Sequence, residues 1–402
     1  MRILITGINY SPELTGIGKY TGEMAEWLSA NGYEVRVITA PPYYPAWKIS
    51  GNYSGWRYKK ELDGEIAVYR CPLWVPKQPS GVTRLIHLAS FAITSLPLII
   101  ANALFWKPDI IFVTEPPLSC APGVLFSSWI SRSKSWLHIQ DFEVDAAFEL
   151  EIIKNPLLAR IIKYLEEMLL SRFDVLSTIS EKMLERLSNK TDKLKKTILF
   201  QNWADTSSII PGTHNVPLKK EIGIKENSIV LLYSGNMGKK QGLEQLVEAA
   251  ETLEGNDDIV FVLCGDGAVK KDLQKMTSNM ANVIIMGLQP KERLGELMNM
   301  ADIHLLPQKA GAEDLVMPSK LTSMLSSGRP VIATTSKDTQ IARVLDGCGL
   351  IVEPGNIAEL VKNIKILTVD KDLRQKMGQN ARKFAENHLD KEKILKKIFL
   401  SE

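Results

Sequence analysis

The sequence predicts an α/β fold with two doubly wound, Rossmann-like domains, each built on a mainly parallel sheet. Short apolar runs alternate with helical patterns from residue 3 to residue 200, and a second alternation of this kind begins at residue 228. The segment between them, 206–227, has two prolines, two glycines and no sustained periodicity, as is typical of a linker. Two domains joined by a linker are therefore expected.

The predicted domains divide the 402 residues as follows. Residues 1–205 form an N-terminal domain, 206–227 a linker and 228–387 a C-terminal domain, and we expect 388–402 to pack back on the N-terminal domain. Parallel sheets of this class bind ligands beyond the carboxyl ends of their strands. We therefore expect the two sheets to face a shared cleft.

Alternating strands and helices imply right-handed crossovers throughout both domains. The predicted N-terminal strands are Ile3–Ile8, Glu34–Ala40, Ile66–Cys71, Asp109–Thr114, Ser135–Gln140, Val175–Ile179 and Thr197–Phe200, with helices that include Lys19–Asn31, Ser119–Ser131, Pro156–Ser171 and Glu181–Leu187. The predicted C-terminal strands are 228–234, 259–264, 282–286, 302–306, 330–334 and 349–352, and the chain ends in helices Ile357–Leu367, Lys371–Asn387 and Lys391–Phe399.

Composition narrows the class of protein. The net charge of +3, without a basic block rich in aromatic residues, makes nucleic acid a poor candidate partner. Four widely spaced cysteines favour neither a disulfide framework nor a structural zinc site, so we expect a reducing compartment. The first apolar strand leaves no room for a secretion signal, and we expect a cytoplasmic protein.

One segment, Leu85–Trp106, has 22 residues without Lys, Arg, Asp or Glu, which is long enough to span a bilayer. Pro97 lies in its middle, and it occupies the crossover position before strand Asp109–Thr114. We therefore favour a helix partly buried against the sheet and partly inserted in the lipid interface, which would attach the protein peripherally to the inner face of the membrane. A plain core helix is the second interpretation, and a membrane span is the third.

The first candidate binding site is the turn that follows strand 228–234. Gly235, Asn236, Lys240 and Gln241 lie in it. Unpaired backbone N–H groups at a helix start, with glycines that admit an anion, make such a turn suitable for a phosphate. The alternative is an ordinary strand-to-helix turn with solvated lysines.

A second candidate anion site faces the first. A loop carrying Glu313 and Asp314 leads to Pro318 and Ser319, which open a helix. Lys320 lies in the first turn, where a positive charge opposes the helix dipole, so a bound phosphate is the expected reason for it. A solvated lysine is the alternative interpretation.

Glycines also follow other strands. Gly16 and Gly18 come after the first strand, where backbone could approach a sugar or a diphosphate; the alternative is a flexible turn. They lack the third glycine of a dinucleotide fingerprint, so a dinucleotide cofactor is not favoured. Gly265 and Gly287 follow strands of the C-terminal domain, where tight turns would hold a flat base through backbone groups.

Three acidic residues follow the strand Ser135–Gln140. Asp141, Glu143 and Asp145 would share one side if the segment stayed extended. Asp141 is best placed to accept a hydrogen bond from a hydroxyl or to act as a base, and the alternative is a solvated acidic turn. No partner cluster suggests a metal or a pair of glycosidase carboxylates. His138 lies inside the strand, where a hydrogen-bonded core histidine is expected.

Several of these stretches carry a resemblance to a known family. They are SGNMGKKQGLEQLVEA, CGDGAVKKDL, MGLQPKERLGELMNMADIHLLP and MPSKLTSMLSSGRPVIATT, with NYSPELTGIGKYTGEMAEWLSANGYEVRVIT, HIQDFEVDA and FQNWAD in the first half. In this order they resemble the retaining glycosyltransferases of family 4, with the GT-B fold. The greatest likeness is to the WcaI/WbuB-like branch, associated with fucosyl-type transfers in colanic acid and O-antigen assembly.

The resemblance also implies roles for single residues. The family usually has an arginine and a lysine in its first anion loop, where this chain has Asn236 and Gln241. Its paired glutamates correspond to Leu315 and Ser323, so Ser323 would make only a neutral hydrogen bond to the ribose. Lys320 matches a Pro-Ser-Lys variant of the family motif.

The implied activity is metal-independent transfer of a sugar from a GDP- or UDP-sugar, which is a substrate and not a cofactor, to a polyprenyl-diphosphate-linked glycan. The diphosphate would lie between Gly235–Gly242 and Ser319–Lys320, with the sugar toward Gly16, Gly18 and Asp141, while Glu313 and Asp314 compensate for the missing glutamates. Fucose or an N-acetylated 6-deoxyhexosamine is the expected sugar. The alternatives are a catalytically silent subunit that binds nucleotide sugars and a GT-B sugar epimerase.

Overall fold

The computed structural model describes residues 1–13, 16–77, 80–149, 155–212, 217–256, 258–309 and 319–400. The chain divides into two compact units, Met1–Gln201 and Asn202–Glu402. Each contains a mainly or wholly parallel sheet with helices in its crossovers, so the predicted fold class is confirmed.

The first unit is built on an eight-stranded sheet, as far as the structure describes it. The strands are β1 (Arg2–Thr6), β2 (Glu34–Thr39), β3 (Lys59–Asp63), β4 (Ile66–Arg70), β5 (Ile110–Glu115), β6 (Lys134–Ile139), β7 (Val175–Thr178) and β8 (Thr197–Leu199). Their order is β3-β4-β2-β1-β5-β6-β7-β8, and all neighbours are parallel except β3 and β4. Seven of these strands match the predicted ones to within two residues at each end.

The sequence analysis missed the edge strand β3. Its residues Lys-Lys-Glu-Leu-Asp are mostly charged, and it pairs with a single neighbour in a hairpin. Such a strand needs no apolar face, since edge strands are commonly protected by charge. Glu61 instead binds two cations, Lys59 at 2.9 Å and Arg70 at 2.7 Å.

The helices of the first unit fill the crossovers between strands. They are α1 (Ile17–Ala30), α2 (Gly81–Ala101), α3 (Ala121–Ser131), α4 (Glu143–Glu149), α5 (Pro156–Leu170) and α6 (Glu181–Ser188). Side-chain caps fix two of the starts: Asn155 accepts from Leu157 N–H, and Ser180 accepts from Met183 N–H.

The second unit has a six-stranded sheet in its described part. The strands are β9 (Ile229–Asn236), β10 (Ile259–Asp266), β11 (Val283–Met286), β12 (Ile303–Leu306), β13 (Val331–Thr334) and β14 (Gly349–Val352), all parallel, in the order β11-β10-β9-β12-β13-β14. The helices are α7 (Pro217–Glu221), α8 (Glu244–Thr252), α9 (Lys270–Met276), α10 (Leu294–Met300), α11 (Ser319–Ser326), α12 (Gln340–Val344), α13 (Ile357–Val369), α14 (Lys371–Phe384) and α15 (Lys391–Phe399).

The described part of the predicted linker, 206–227, belongs to the second unit. Ile209, Leu218 and Ile224 are buried in one apolar cluster with Val230 and Leu232 of strand β9. Their spacing fits neither a helix nor a strand period, which is why the sequence suggested a linker. The described residues of 388–402 are also assigned to the second unit. Packing of 388–402 on the N-terminal domain stays a prediction.

The apolar segment Leu85–Trp106 is helical. Helix α2 is continued by a π-helical turn, Asn102–Trp106, and together they are long and apolar enough to cross a membrane by length and composition alone. Only 33% of the most apolar part is buried, with Phe91 and Ile99 on the inner face. Helix α2 also packs on α3, where a side chain on Gly123 would overlap Leu96. One buried face and one exposed apolar face fit the favoured interpretation, and contact with lipid stays a prediction.

Candidate functional site

The turn after strand β9 is shaped by close packing of two parallel strands. Gly235 pairs with Gly265 and Asn236 pairs with Asp266. A β-carbon on Gly265 would overlap the carbonyl oxygen of Gly235, so no larger residue fits there. Gly267, with φ of 151°, also passes the Met237 carbonyl closely enough that a β-carbon would overlap it. The carboxyl ends of β9 and β10 therefore meet in a compact, glycine-lined edge.

Lys320 of helix α11 reaches this edge. Its ammonium donates to the Tyr233 hydroxyl at 2.7 Å and to Gln241 Oε1 at 3.0 Å, and it lies 4.7 Å from the centre of the Tyr233 ring. Gly235 has φ of 146°, and a β-carbon there would overlap the Lys320 side chain. The structure thus brings together Lys320, Gly235 and Gln241, three of the predicted site residues.

The role of Gln241 differs from the one that its position suggested. The family usually places a lysine there, and a lysine ammonium would repel Lys320 at this distance. Gln241 instead offers an amide oxygen that accepts from Lys320. Lys320 therefore has a neutral hydrogen-bond acceptor beside it at position 241.

Tyr233 is a component of this site that the sequence analysis missed. Its side chain is fully buried, burial raises the pKa of its phenol, and its hydroxyl donates to the carbonyl of Asn236 at 2.5 Å. The same hydroxyl can therefore only accept from Lys320, which orients the ammonium. A tyrosine inside an otherwise apolar strand was the available signal, because a buried tyrosine hydroxyl needs a partner.

The turn itself is less open than predicted. Met237 N–H donates to the Asp266 carbonyl at 2.7 Å and Gln241 N–H to the Gly238 carbonyl at 3.1 Å, so these two amides are not unpaired. A short 3₁₀ turn, Lys239–Gln241, stands between β9 and helix α8. Lys240 is exposed, and its carbonyl accepts from Lys309 N–H at 3.2 Å. Lys320, and not the turn lysines, is therefore the cation held in a defined position.

The other predicted residues of the second unit are spread along the same edge or lie outside the described chain. Gly287 follows strand β11, and its carbonyl accepts from Cys264 Sγ and Gln289 Nε2, both at 3.2 Å. Ser323 is half-buried in α11. The described part of helix α11 is Ser319–Ser326, and opening of this helix by Pro318 and Ser319 stays a prediction. Glu313, Asp314, Leu315 and Pro318 lie outside the described residues.

In the first unit, the three acids after β6 do not share one side. Asp141 is exposed, while helix α4 begins at Glu143, so the segment does not stay extended, which was the condition for a shared side. Glu143 accepts from Leu118 N–H at 2.7 Å, and burial raises the pKa of its carboxyl. Asp145 instead forms 2.7 Å ion pairs with Lys190 and Arg186. Asp141 alone remains at the carboxyl end of β6 as the candidate functional acid.

The loop after β1 is organised by a residue that was not selected, Glu13. Its carboxylate is buried and accepts from Tyr43 N–H at 3.0 Å, Tyr44 N–H at 2.9 Å and the Asn9 amide at 2.8 Å. Burial raises the pKa of this carboxyl, and these hydrogen bonds oppose the increase. Gly16 (φ 63°) precedes helix α1, and Gly18 has no room for a side chain because Glu13 lies against it. Gly18 is thus needed for packing against Glu13, and Gly16 for its positive φ before the helix.

His138 is a hydrogen-bonded core histidine, as predicted. Its Nδ1 lies 2.9 Å from Ser177 Oγ and its Nε2 lies 2.9 Å from the Gln140 amide. Burial lowers its pKa to about 3, so the ring is neutral at physiological pH.

Comparison with known sequences covers both units. The family described as Glycosyl transferases group 1 matches residues 217–384, and the Glycosyl transferase 4-like domain matches residues 15–193. The putative colanic acid biosynthesis glycosyl transferase WcaI of Escherichia coli is 42% identical over 99% of this chain and 98% of its own length.

Comparison with solved structures supports the same fold. Sucrose-phosphate synthase of Thermosynechococcus elongatus has a TM-score of 0.74 at 15% identity, covering 100% of this chain and 98% of its own. HepE of Anabaena in complex with UDP-glucose has a TM-score of 0.69 at 16% identity, covering 100% and 99%. With two Rossmann-like units and a relative 42% identical over almost its whole length, the chain belongs to the GT-B glycosyltransferases of the WcaI type.

Proposed function

We propose that this glycosyltransferase moves a sugar from a nucleoside diphosphate sugar to a polyprenyl-diphosphate-linked glycan, with retention at the anomeric carbon, in synthesis of a bacterial surface polysaccharide. The observation that carries the proposal is the Lys320 ammonium, fixed beside the glycine-lined end of β9. The name of the WcaI relative, which assigns it to colanic acid biosynthesis, supports the type of product.

The proposed donor site uses charge that is already in position. The leaving nucleoside diphosphate gains negative charge as the glycosidic bond breaks, and we expect the fixed Lys320 ammonium to stabilise that charge. The first turn of helix α11 adds the positive end of its dipole. This chemistry needs no metal, so we expect activity to be unchanged by EDTA. GDP- or UDP-linked fucose, or an N-acetylated 6-deoxyhexosamine, is the proposed donor.

Asp141 is proposed as the carboxylate beside the reacting sugar. It is exposed and comes just after β6, where parallel sheets of this class bind their ligands. Asp141→Asn should lower turnover by roughly 10²-fold or more if the carboxylate acts in the reaction. Glu185→Gln, which removes an exposed carboxylate of helix α6, is the matched control and should leave turnover unchanged.

The activity is tested by incubating the protein with a panel of GDP- and UDP-sugars and a polyprenyl-diphosphate-linked glycan. We expect sugar to appear on the lipid-linked product with its anomeric configuration retained. Nucleotide-sugar binding without transfer from any donor would support the silent-subunit alternative and contradict the proposal. Epimerised free nucleotide sugar would support the epimerase alternative instead.

We further propose that the exposed face of α2 and α3 contacts the membrane surface, which would place the protein at the cytoplasmic face. Ile93 of α2, Phe105 of the π-helical turn that continues α2, and Trp129 of α3 are 72%, 87% and 76% exposed. Lys107 and Arg132 follow the two helical segments directly and are exposed. Aromatic side chains beside cations are the pattern that interfacial membrane contacts use.

Flotation with vesicles tests this surface. The double variant Phe105→Ser/Trp129→Ser should reduce binding to vesicles that contain phosphatidylglycerol, because it removes most of the exposed aromatic area. Val369→Ser, at an exposed apolar position of the second unit, is the control. Equal flotation of the double variant and the control would contradict the membrane proposal without affecting the proposed chemistry.

A further inference from the structure

The second unit contains a cavity far from the predicted donor site. Its volume is about 560 Å³, and it lies where β12 and β13 begin, with helix α14 as the opposite wall. Asp302 directly precedes β12 and Pro330 directly precedes β13. The cavity is thus at the amino ends of these parallel strands. Lys320 and Gly235 lie at the other edge of the same sheet, where β9 ends.

The charge of the cavity wall is strongly positive. Five of the lining residues are cationic and one is acidic: Arg329, Lys371, Arg374, Arg382, Lys383 and Asp302. The single carboxylate is already engaged, since Asp302 Oδ2 accepts from the Val230 N–H at 2.9 Å. Arg382 is also paired with Glu386 at 2.6 Å, so four cations face one carboxylate, and this excess of three positive charges attracts an anion.

Arg329 shows that one of these cations lacks a full set of partners. Its terminal nitrogen NH2 donates to the Gly212 carbonyl at 3.1 Å and approaches the Asn299 carbonyl at 3.4 Å. Its Nε is buried and has no hydrogen-bond partner among the described residues. Burial lowers the pKa of the Arg329 guanidinium. The charge of Asp302 raises this pKa, and the charge of Arg374 lowers it further. An anion at this place would satisfy Nε and relieve the repulsion between the two arginines.

Hydrogen bonds to backbone carbonyls hold Arg382 in place, whereas the two lysines of the cavity wall are exposed to solvent. Gly378 allows helix α14 to pass the Gly328 carbonyl closely, since any side chain there would overlap it. Arg382 donates to the carbonyls of Ile209 at 2.6 Å and Ser326 at 2.8 Å. Lys371 and Lys383 are exposed and form no ion pair within the described chain.

We propose that this cavity is a second ligand site, which binds a small phosphate-bearing metabolite away from the donor site. Its volume is within the range of pockets that hold small molecules. The unpaired Nε–H of Arg329 can donate to a phosphate oxygen, and the two lysines add charge at the mouth. The donors of Arg382 are already used by Glu386 and by three carbonyls, so this arginine contributes charge and shape. Because the site lies at the opposite edge of the sheet from Lys320, its ligand is an effector that does not compete with the sugar donor.

Calorimetric titration with inorganic pyrophosphate tests the proposal on the full chain. We expect two classes of site in the wild type, because the proposed donor site also accepts a diphosphate. Lys371→Gln/Lys383→Gln should weaken the cavity class by about tenfold or more and leave the other class intact. Lys320→Ala should instead weaken the class at the proposed donor site and leave the cavity class intact.

The matched control is Lys362→Gln/Lys376→Gln. It removes the same charge from exposed positions of α13 and α14 that do not line the cavity. Equal pyrophosphate affinity and stoichiometry in the two double variants would overturn the proposal. A single class of site in the wild type, lost in Lys320→Ala, would overturn it as well. Neither result bears on sugar transfer, which is measured separately.

Discussion

At the scale of single residues, Lys320 is the side chain on which the proposed donor site depends. Its ammonium is fixed by Tyr233 and Gln241. Lys320→Ala should lower the turnover number for transfer by roughly 10²- to 10³-fold, because a preorganised charge is lost from the transition state. Initial rates at saturating donor measure this effect. Lys362→Ala removes an exposed lysine from α13 and should retain the wild-type rate.

A second residue-scale prediction concerns Glu115 at the end of β5. Its carboxyl is buried, its Oε1 accepts from Glu143 N–H at 3.2 Å, and its Oε2 has no partner in the described residues. Burial raises its pKa well above the ordinary value, and Glu143 adds to the increase. The folded state therefore keeps a proton that the unfolded state releases. Stability from this group is complete below the ordinary carboxyl pKa and is lost as pH rises toward the folded pKa.

Glu115→Gln should remove that dependence, because an amide stays neutral. The free energy of unfolding should fall less between pH 5 and pH 8 in the variant than in the wild type. Urea unfolding followed by tryptophan fluorescence is suitable, since seven of the eight tryptophans lie in residues 1–201. Glu185→Gln, at an exposed position of α6, should behave like the wild type. A variant with an unchanged pH slope would show that Glu115 is ionised in the folded protein.

Single residues differ in how far the sequence could identify them. Lys320 was predictable because a lysine in the first turn of a helix opposes the dipole. The apolar run Ile229–Leu232 marked a strand, but no local pattern showed that Tyr233 would orient Lys320 from 87 positions away. The role of Glu13 could not be predicted from the sequence for the same reason, because its partners Tyr43 and Tyr44 are 30 and 31 residues away in the chain.

At the scale of elements, the end of β9 depends on the absence of a side chain at Gly235. Gly235→Ala would force a β-carbon onto Lys320. Gly255→Ala is the matched control, because Gly255 also has a positive φ, of 96°, but open space around it. Both variants should lose about 1 kcal/mol or more of stability from backbone strain. Calorimetric titration should show weaker donor binding only for Gly235→Ala.

Equal donor affinity in the two glycine variants would contradict the assigned position of the donor diphosphate. It would mean that Lys320 can move without affecting the bound nucleotide sugar, so the contact between α11 and β9 would be structural only.

Elements with a clear period were predictable, and elements defined by long-range contacts were not. The apolar runs that became β1, β9 and β12 matched to within two residues at each end, because strands buried on both faces have continuous apolar sequences. The charged edge strand β3 has no such pattern and is held by pairing with β4. The described part of 206–227 also looked irregular, yet it contributes buried Ile209 and Leu218 to the second core.

At the scale of the whole molecule, two Rossmann-like units are assigned distinct tasks. The second unit carries the proposed donor site at the carboxyl end of its sheet and the cationic cavity at the amino end. The first carries Asp141 and the exposed apolar face of α2 and α3. Strand–helix alternation predicted the fold of both units. The sugar and the base of the donor depend on contacts that no motif in this chain specifies.

The most direct measurement of the central claim is transfer of a radiolabelled sugar from nucleotide sugars to a polyprenyl-diphosphate-linked glycan, by the wild type and by Lys320→Ala in parallel. The account predicts label in the lipid fraction for at least one GDP- or UDP-sugar, and a rate lower by roughly 10²-fold or more in the variant. No transfer from any donor, or equal transfer by both proteins, would contradict it.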